Sequence, residues 1–406
     1  MMPNSASYEI WKKQKLGSLF SFHRSLSASR AQLGESGIPY LHYGDIHKTG
    51  KTNFDPEKDK LPKLDYRENA EKYLLNNGDV VFVDASEDRK DASRFCVIKN
   101  KNNVPFLAGL HTVIARPKSG ELNVNFSEFL FQSNDFRKQV SILANGMKVF
   151  GVSKDILSNI VIRYPQNTAE QEKIAEILGT WDSAIEKLTA LIAAKRLQKK
   201  GLMQKLLTAQ IRLPGFTGEW QKVKLGDFLK FQTGFPFDSQ FFNQDSDGIR
   251  LVKNRDLKSD DQVYFYSGKY ANTDIVENGD ILVGMDGDFL PCLWKKGMAL
   301  LNQRVGKIVC KKTLNHSFAY YILFSPLEKI QNETASTTVK HLSHSGVEKA
   351  SVTIPTDISE QKAIADVLSK ADEEIDLLTR KLDLLQSQKK GLMQQLLTGK
   401  IRVKVA

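Results

Sequence analysis

The chain carries one stretch of itself twice. Thr168 to Leu213 aligns without a gap, at an offset of 190, with Ile358 to Val403, and 21 of the 46 positions are identical. QKKGLMQ stands intact at Gln198–Gln204 and again at Gln388–Gln394. A fixed-period repeat of this length dictates architecture before any local propensity does. The segments upstream correspond more loosely. Trp11-Lys-Lys-Gln-Lys-Leu-Gly-Ser-Leu returns as Trp220-Gln-Lys-Val-Lys-Leu-Gly-Asp-Phe, and Ile38-Pro-Tyr-Leu-His-Tyr-Gly-Asp-Ile as Ile249-Arg-Leu-Val-Lys-Asn-Arg-Asp-Leu. Asn77-Gly-Asp opens one apolar stretch and Asn278-Gly-Asp its counterpart. The expected organisation is a domain over 1–167, a long helix over 168–213, a second domain over 214–355 and a C-terminal long helix over 356–406. The helices are more alike than the domains, which implies a common scaffold carrying two different reading surfaces.

The two similar segments have helical periodicity nearer 3.5 than 3.6 residues. Leu178, Trp181, Ile185, Leu188 and Ile192 form a seam in the first, continued by Lys195, Lys199, Leu202 and Leu206. Leu368, Ala371, Ile375, Leu378, Leu382 and Leu385 form the same seam in the second, continued by Lys389, Leu392 and Leu396. A helix of about 40 residues is roughly 60 Å long at 1.5 Å per residue, more than one small domain can bury. The expected partner of each is the other copy, in an antiparallel coiled coil with internal pseudo-two-fold symmetry and Trp181 facing Ala371. Thr168-Ala-Glu-Gln171 and Asp357-Ile-Ser-Glu360 read as capping boxes. The fold class expected is α+β, with mixed α/β domains of short strands and with helical stretches at Phe126–Ile142 and Ser317–Ile330.

Composition narrows the function. The chain has 406 residues, 58 Lys+Arg against 47 Asp+Glu, and a net charge of +11, with the excess spread over folded-looking sequence rather than a tail. That distribution suits a surface following a phosphate backbone without establishing one. Cys96, Cys292 and Cys310 are too few and too scattered for a disulfide framework or a Cys-rich zinc module, so a cytoplasmic setting is the default. No apolar run of about 18 residues occurs and the N-terminus lacks a secretory core, so no membrane role is expected.

Catalytic signals fail when one copy is used as the control for the other. Gly44 to Gly50-Lys51-Thr52 resembles a phosphate-binding loop, but five residues separate the glycines where four are needed, and the second copy has no equivalent. Asp79 with Asp88-Arg89-Lys90 resembles a metal nuclease, yet only the aspartate returns, as Asp280, and a turn role explains it better. His42 with His47, and His341 with His344, lack further ligands nearby. No methyl-transfer or nucleophile-elbow motif is present.

These features together resemble the specificity subunit of type I restriction–modification enzymes. The resemblance rests on Glu170-Gln171 with Ile174-Ala175, Glu360-Gln361 with Ile364-Ala365, the QKKGLMQ, LLT and Ile-Arg closures, Lys-Leu-Gly near each domain start, and Pro165 and Pro355 before the helices. It implies two target-recognition domains, each reading one half of a bipartite site in double-stranded DNA. The helix pair would set the unread spacer and dock two modification (methyltransferase) subunits, with restriction (motor-nuclease) subunits recruited to the complex. S-adenosylmethionine, ATP and Mg²⁺ would belong to those partners, adenine methylation and DNA cleavage with them, and this chain would bind no cofactor or metal and be non-catalytic. Two other readings stay open on the residues alone, a self-sufficient nuclease or methyltransferase and a coiled-coil adaptor that binds no DNA.

Candidate DNA-contacting residues are polar or basic positions where the copies diverge. In the first domain they are Lys48, Lys51, Arg89, Lys90, Arg94 and Lys148; in the second, Lys253, Asn254, Arg255, Lys295, Lys296, Gln303, Arg304 and Lys340. Lysine and arginine would grip phosphates, while Arg, Asn and Gln would read base edges in the major groove.

Overall fold

Each domain is closed by the same device, a strand near its start paired with the strand that leads into the long helix. Trp11–Lys15 runs antiparallel to Val161–Pro165, with Trp11 opposite Pro165. Trp220–Lys224 runs antiparallel to Ser351–Pro355, with Trp220 opposite Pro355. A computed structural model describes residues 11–65, 70–86, 94–144, 150–333 and 341–405. Within the described residues, the chain divides into two compact units, residues 1–189 with 381–406, and residues 190–380.

In the first unit a five-stranded sheet has the order Phe20–Arg24, Thr112–Pro117, Val80–Val83, Phe95–Ile98 and Asn53–Phe54. The fully buried Val80–Val83 lies at its middle, as an unbroken run of β-branched and aromatic residues requires. Phe82, Phe95, Phe131 and Phe136 pack against one face, with ring centroids 5.1–6.1 Å apart. A second sheet carries the strand Ile38–Leu41, paired in parallel with Leu107–Ala108. In the second unit the main sheet runs Leu229–Thr233, Val305–Cys310, Ile281–Gly284 and Pro291–Leu293. Its second sheet carries Ile249–Val252, paired in parallel with Ala299–Leu301.

The recurring Asn-Gly-Asp turn has a structural role in both copies. Asp79 is fully buried; its carboxylate accepts from the backbone N–H of Asn76 at 2.8 Å and from Arg116 Nη2 at 2.7 Å. Asp280 accepts from the N–H of Glu277 at 2.8 Å and from Lys307 Nζ at 2.6 Å. The cation comes from a different position on the neighbouring strand in each copy, so the pairing is conserved while its source is not.

The long helices span Thr168–Leu206 and Ile358–Leu396. Their N-caps are Asn167, which accepts from the N–H of Ala169, and Asp357, which accepts from that of Ser359, both at 2.8 Å. The capping box expected at Thr168 is therefore one residue out. Gln171 and Glu360 do not reach back to a cap because each has a stronger use. Gln171 is fully buried, donates to the carbonyls of Glu121 and Pro165, and accepts from the N–H of Asn123. Gln361 makes the matching set with Thr313, Pro355 and Asn315. These amides lock the first turn of each helix to its own domain.

The two helices run in opposite directions within each unit. In the first, Glu170 pairs with Arg402 and Asp182 with Lys389. In the second, Lys195 pairs with Glu374, Lys199 with Asp372, and Arg212 with Glu360. The registers correct one expectation. Asp182 pairs with Lys389, so Trp181 lies level with residue 390; Asp372 pairs with Lys199, so Ala371 lies level with residue 200. Trp181 and Ala371 thus belong to different units and do not face each other, because antiparallel packing separates equivalent positions. Along the first helix Leu178, Leu188, Ile192 and Leu206 are buried and Trp181 and Ile185 half-buried. Along the second, Leu368, Ile375 and Leu396 are buried, and Ala371, Leu378, Leu382 and Leu385 half-buried.

Each domain core takes in the start of its own helix and the end of the other. Ile174, Ala175 and Leu178 share a cluster with Leu396 and Leu397 in the first unit, and Ile364, Ala365 and Leu368 share one with Leu206 in the second. The helical stretches expected at Phe126–Ile142 and Ser317–Ile330 are each broken in two. The first divides into Val124–Leu130 and Asn134–Leu143, because the Ser133 hydroxyl accepts from the N–H of Phe136 and starts a new helix. The second divides into His316–Ile322 and Phe324–Glu333, with Pro326 in the first turn, where its missing N–H costs nothing.

Candidate nucleic-acid interface

In both domains the strand of the second sheet ends in a buried apolar pair and then turns sharply on an aspartate. After Tyr40 and Leu41, the backbone N–H of His42 donates to Asp45 at 3.3 Å and that of Gly44 to His42 Nδ1 at 3.1 Å. After Leu251 and Val252, the N–H of Lys253 donates to the buried Asp256 at 2.8 Å. The frame is shared, but its side chains differ. His42-Tyr43-Gly44 stands where the second domain has Lys253-Asn254-Arg255.

The second-domain turn is a cluster of cations on aromatic faces. Lys253 Nζ lies 3.4 Å from the ring centroid of Tyr264 and 4.7 Å from that of Phe242. Burial first, and the nearby Arg255 second, hold the Lys253 ammonium below the usual lysine range. Arg255 lies 5.4 Å from the Tyr264 centroid, donates to Gln262 Oε1 at 2.7 Å, and leaves 46% of its side chain exposed. Asn254 donates to the carbonyl of Asp286 at 2.8 Å. The absence of a side chain at Gly284 makes room for it, since a Cβ there would sit 2.1 Å from Asn254 Oδ1. Burial pushes the Asp256 carboxyl upward, against the pull of the surrounding cations.

The remaining second-domain candidates fall in three places. Lys296 joins the turn, donating to the carbonyl of Asp256 and to Asp260, each at 2.8 Å, with its ammonium 5.6 Å from the Trp294 centroid. Arg250, overlooked in the sequence, pairs with the same Asp260 and lies 5.1 Å from the Trp294 centroid. The Lys296 hydrogen bond is the largest effect and, with the lesser help of Arg250, holds Asp260 below the usual carboxylate range against the opposing effect of burial. Lys295 turns away to Asp376 on the second long helix, at 3.2 Å, beside a cleft of about 530 Å³ also lined by Cys292, Tyr320 and Asp372. Burial raises the Tyr320 hydroxyl there to about 12. Gln303 is exposed, and Arg304 reaches Asp286 at 3.4 Å and His341 at 3.3 Å. Lys340 lies outside the described residues.

In the first domain Lys48, Lys51 and Arg94 gather at the end of the helix Tyr43–Thr49. Lys48 is exposed in its last turn, and Lys51, just past Gly50, pairs with Asp59 and lies 6.0 Å from the Phe54 centroid. Arg94 Nη1 is 3.8 Å from where a Cβ on Gly50 would be. Arg89, Lys90 and Lys148 lie outside the described residues. The sequence did not expose the aromatic patch at the other end of this helix, where Tyr43 is flanked by His42, His111 and His47 at centroid distances of 4.4, 5.3 and 6.2 Å. His111 adopts a left-handed backbone, φ +57°, uncommon for a residue with a side chain, and lies 3.4 Å from Asp84. Burial, then Arg30, lowers the pKa of His42. The only sequence signal was the His42–His47 spacing; His111 is brought in by the fold.

Four of the candidate cations are committed to surface ion pairs, Lys51, Lys295, Lys296 and Arg304. Exposed pairs of this kind contribute roughly 0–1 kcal/mol each, so a phosphate or base edge can displace the carboxylate at little cost. Among the described residues no group of three or more His, Cys, Asp or Glu side chains is placed to hold a metal ion. Among the same residues no helix is long and apolar enough to cross a membrane.

Comparison with known proteins agrees with this arrangement. The family of type I restriction modification DNA specificity domains matches twice, over residues 8–196 and 217–387. The type I restriction enzyme EcoBI specificity subunit of Escherichia coli is 33% identical over 183 residues, covering 45% of this chain and 38% of that relative's length. The provisionally named type I restriction enzyme MjaX specificity subunit of Methanocaldococcus jannaschii is 23% identical over 426 aligned positions, covering 98% of this chain and 95% of the relative. The crystal structure of the type I restriction-modification S subunit from M. genitalium superposes with a TM-score of 0.62 at 15% identity, covering 100% of this chain and 99% of that one, which shows a shared fold. With two family domains that together span most of the sequence, and with duplicated helices, the chain belongs to the type I restriction–modification specificity subunits.

Proposed function

We propose that each domain reads one half of a bipartite site in double-stranded DNA, and that the paired helices set the unread spacer and dock two methyltransferase subunits. The observation that carries this is the contrast between scaffold and surface. The helix ends are tied by the same residues in both copies, Arg402 to Glu170 and Arg212 to Glu360, while the turns at 42–44 and 253–255 share a frame and differ in side chains. A duplicated frame with unlike readers suits one enzyme recognising two unlike half-sites. Helices of 39 residues, about 58 Å at 1.5 Å per residue, are long enough to bridge half-sites one turn of duplex apart, roughly 34–36 Å.

In this reading the complex works in the cytoplasm, and its chemistry lies in partners. The methyltransferase subunits hold S-adenosylmethionine and modify adenine; recruited motor-nuclease subunits use ATP and Mg²⁺ to cut unmodified duplex. This chain contributes the positioning that makes those reactions selective. A salt titration of duplex binding by the chain assembled with its methyltransferase subunits tests the claim. Six to ten phosphate contacts lower affinity by about 10³–10⁵ between 50 and 200 mM salt. A flat titration contradicts DNA reading and favours a protein adaptor.

A further inference from the structure

We propose that the three-residue turn held by Asp45 in the first domain and by Asp256 in the second is the base-reading element of each, and that Arg255 reads a guanine in the second domain's half-site. The inference rests on the proposed DNA-reading function and deepens it.

The internal duplication supplies the comparison. Both turns follow the strand that pairs in parallel inside the second sheet, and both are fixed by an aspartate accepting the N–H three residues earlier. A backbone held this way carries three side chains at a defined place whatever they are. The copies then diverge at those three positions, an imidazole, a phenol and no side chain in one, an ammonium, an amide and a guanidinium in the other.

The second-domain turn also carries unspent hydrogen-bonding capacity. Arg250 Nε and Asn254 Oδ1 are buried and find no hydrogen-bond partner among the described residues, and the buried Asp256 Oδ1 makes no hydrogen bond either, with Arg255 Nε 3.7 Å away. Buried polar atoms are nearly always satisfied, and the exceptions need a reason. A site completed by a ligand supplies one.

Arg255 has the geometry of a reader rather than a phosphate anchor. Its guanidinium lies over Tyr264, with Nη1 donating to the Gln262 side chain at 2.7 Å, Nη2 to the Gln262 backbone carbonyl at 3.3 Å and Nε 3.7 Å from Asp256. Part of its rotamer freedom is therefore already lost, while each terminal nitrogen keeps a second N–H and nearly half of the side chain stays open. A planar fork so presented matches guanine O6 and N7. In the first domain Tyr43, edged by three imidazoles and followed by glycine, offers an apolar face with no such fork. It recognises a different base pair.

Selection from a pool of random-sequence duplexes tests this, using the full chain assembled with its methyltransferase subunits. The wild-type assembly selects a bipartite consensus. R255A loses the preference for one guanine in one half, by roughly ten- to a hundred-fold, and keeps the other half intact. R255K restores overall affinity but not the guanine preference, because a point charge lacks the fork. Y43A alters only the opposite half. An unchanged consensus in R255A, or uniform weakening that R255K repairs completely, marks a phosphate contact and overturns the assignment. An unchanged consensus in Y43A overturns it for the first domain. If the wild-type assembly selects no bipartite site, the DNA-reading function itself fails.

Discussion

Arg212, just past the end of the first long helix, grips Glu360, in the first turn of the second, through two parallel hydrogen bonds, Nε to Oε1 at 2.7 Å and Nη2 to Oε2 at 2.8 Å. Arg402 and Glu170 repeat the arrangement in the other unit, with Nη2 to Oε2 at 2.6 Å. The most distinctive repeated motifs, Glu-Gln at the helix starts and Ile-Arg at their ends, are thus the two halves of one reciprocal clasp. The negative charge also sits at a helix N-terminus, where the backbone dipole favours it.

Burial makes the clasp asymmetric to mutation. The Glu360 side chain is 1% exposed and that of Arg212 29%. Arg212→Met strands a buried carboxylate and costs about 3–5 kcal/mol. Glu360→Gln leaves a cation that can turn to water and costs less, about 1–2 kcal/mol. Urea unfolding followed by tryptophan emission, to which Trp220, itself a donor to Glu360 at 3.3 Å, contributes, measures both. Equal losses would mean that the pair behaves as an ordinary surface contact.

The helix ends differ at one equivalent position. Ala209 and Gly399 both have left-handed backbones, at φ +56° and +71°, and each precedes a bond from residue 211 or 401 back to residue 205 or 395. Ala209→Gly relieves the strain and stabilises by about 0.5–1 kcal/mol. Gly399→Ala destabilises by about 1 kcal/mol or more, since a Cβ would lie 3.0 Å from the Trp11 ring. Thermal melts showing the same sign for both would contradict this account of the caps.

The organisation was legible in the sequence because the duplication acts as its own control. Asp79 returns as Asp280 within the same Asn-Gly-Asp turn but without a counterpart of Asp88-Arg89-Lys90, which marks it as structural. The clasp was not legible. Glu170 and Arg402 are 232 residues apart, and nothing local says which copy supplies the partner. The Trp181–Ala371 pairing failed for a related reason, because equivalent positions meet in a parallel pair but not an antiparallel one. Lys199 and Lys389 continue the apolar seams as cations, a placement the sequence left without a physical reason. Each reaches an aspartate on the opposite helix and an aromatic ring, Tyr321 at 5.5 Å and Phe129 at 5.6 Å. The patch around Tyr43 stayed hidden because His111 arrives from a distant turn, just before the strand Thr112–Pro117.

Domain exchange separates the two readers. Replacing residues 1–150 with the corresponding domain of another specificity subunit changes one half-site and leaves the other and the spacer intact. Selection of duplexes by the assembled complex shows this directly; a change in both halves contradicts one domain reading one half.

The most direct test of the central claim is the length of the paired helices. Inserting one heptad into each long helix preserves the seam and adds about 10 Å. Methylome sequencing of cells expressing that chain with its methyltransferase subunits should return both half-sites unchanged, separated by a longer unread spacer. Altered half-sites at the original spacing would contradict the account.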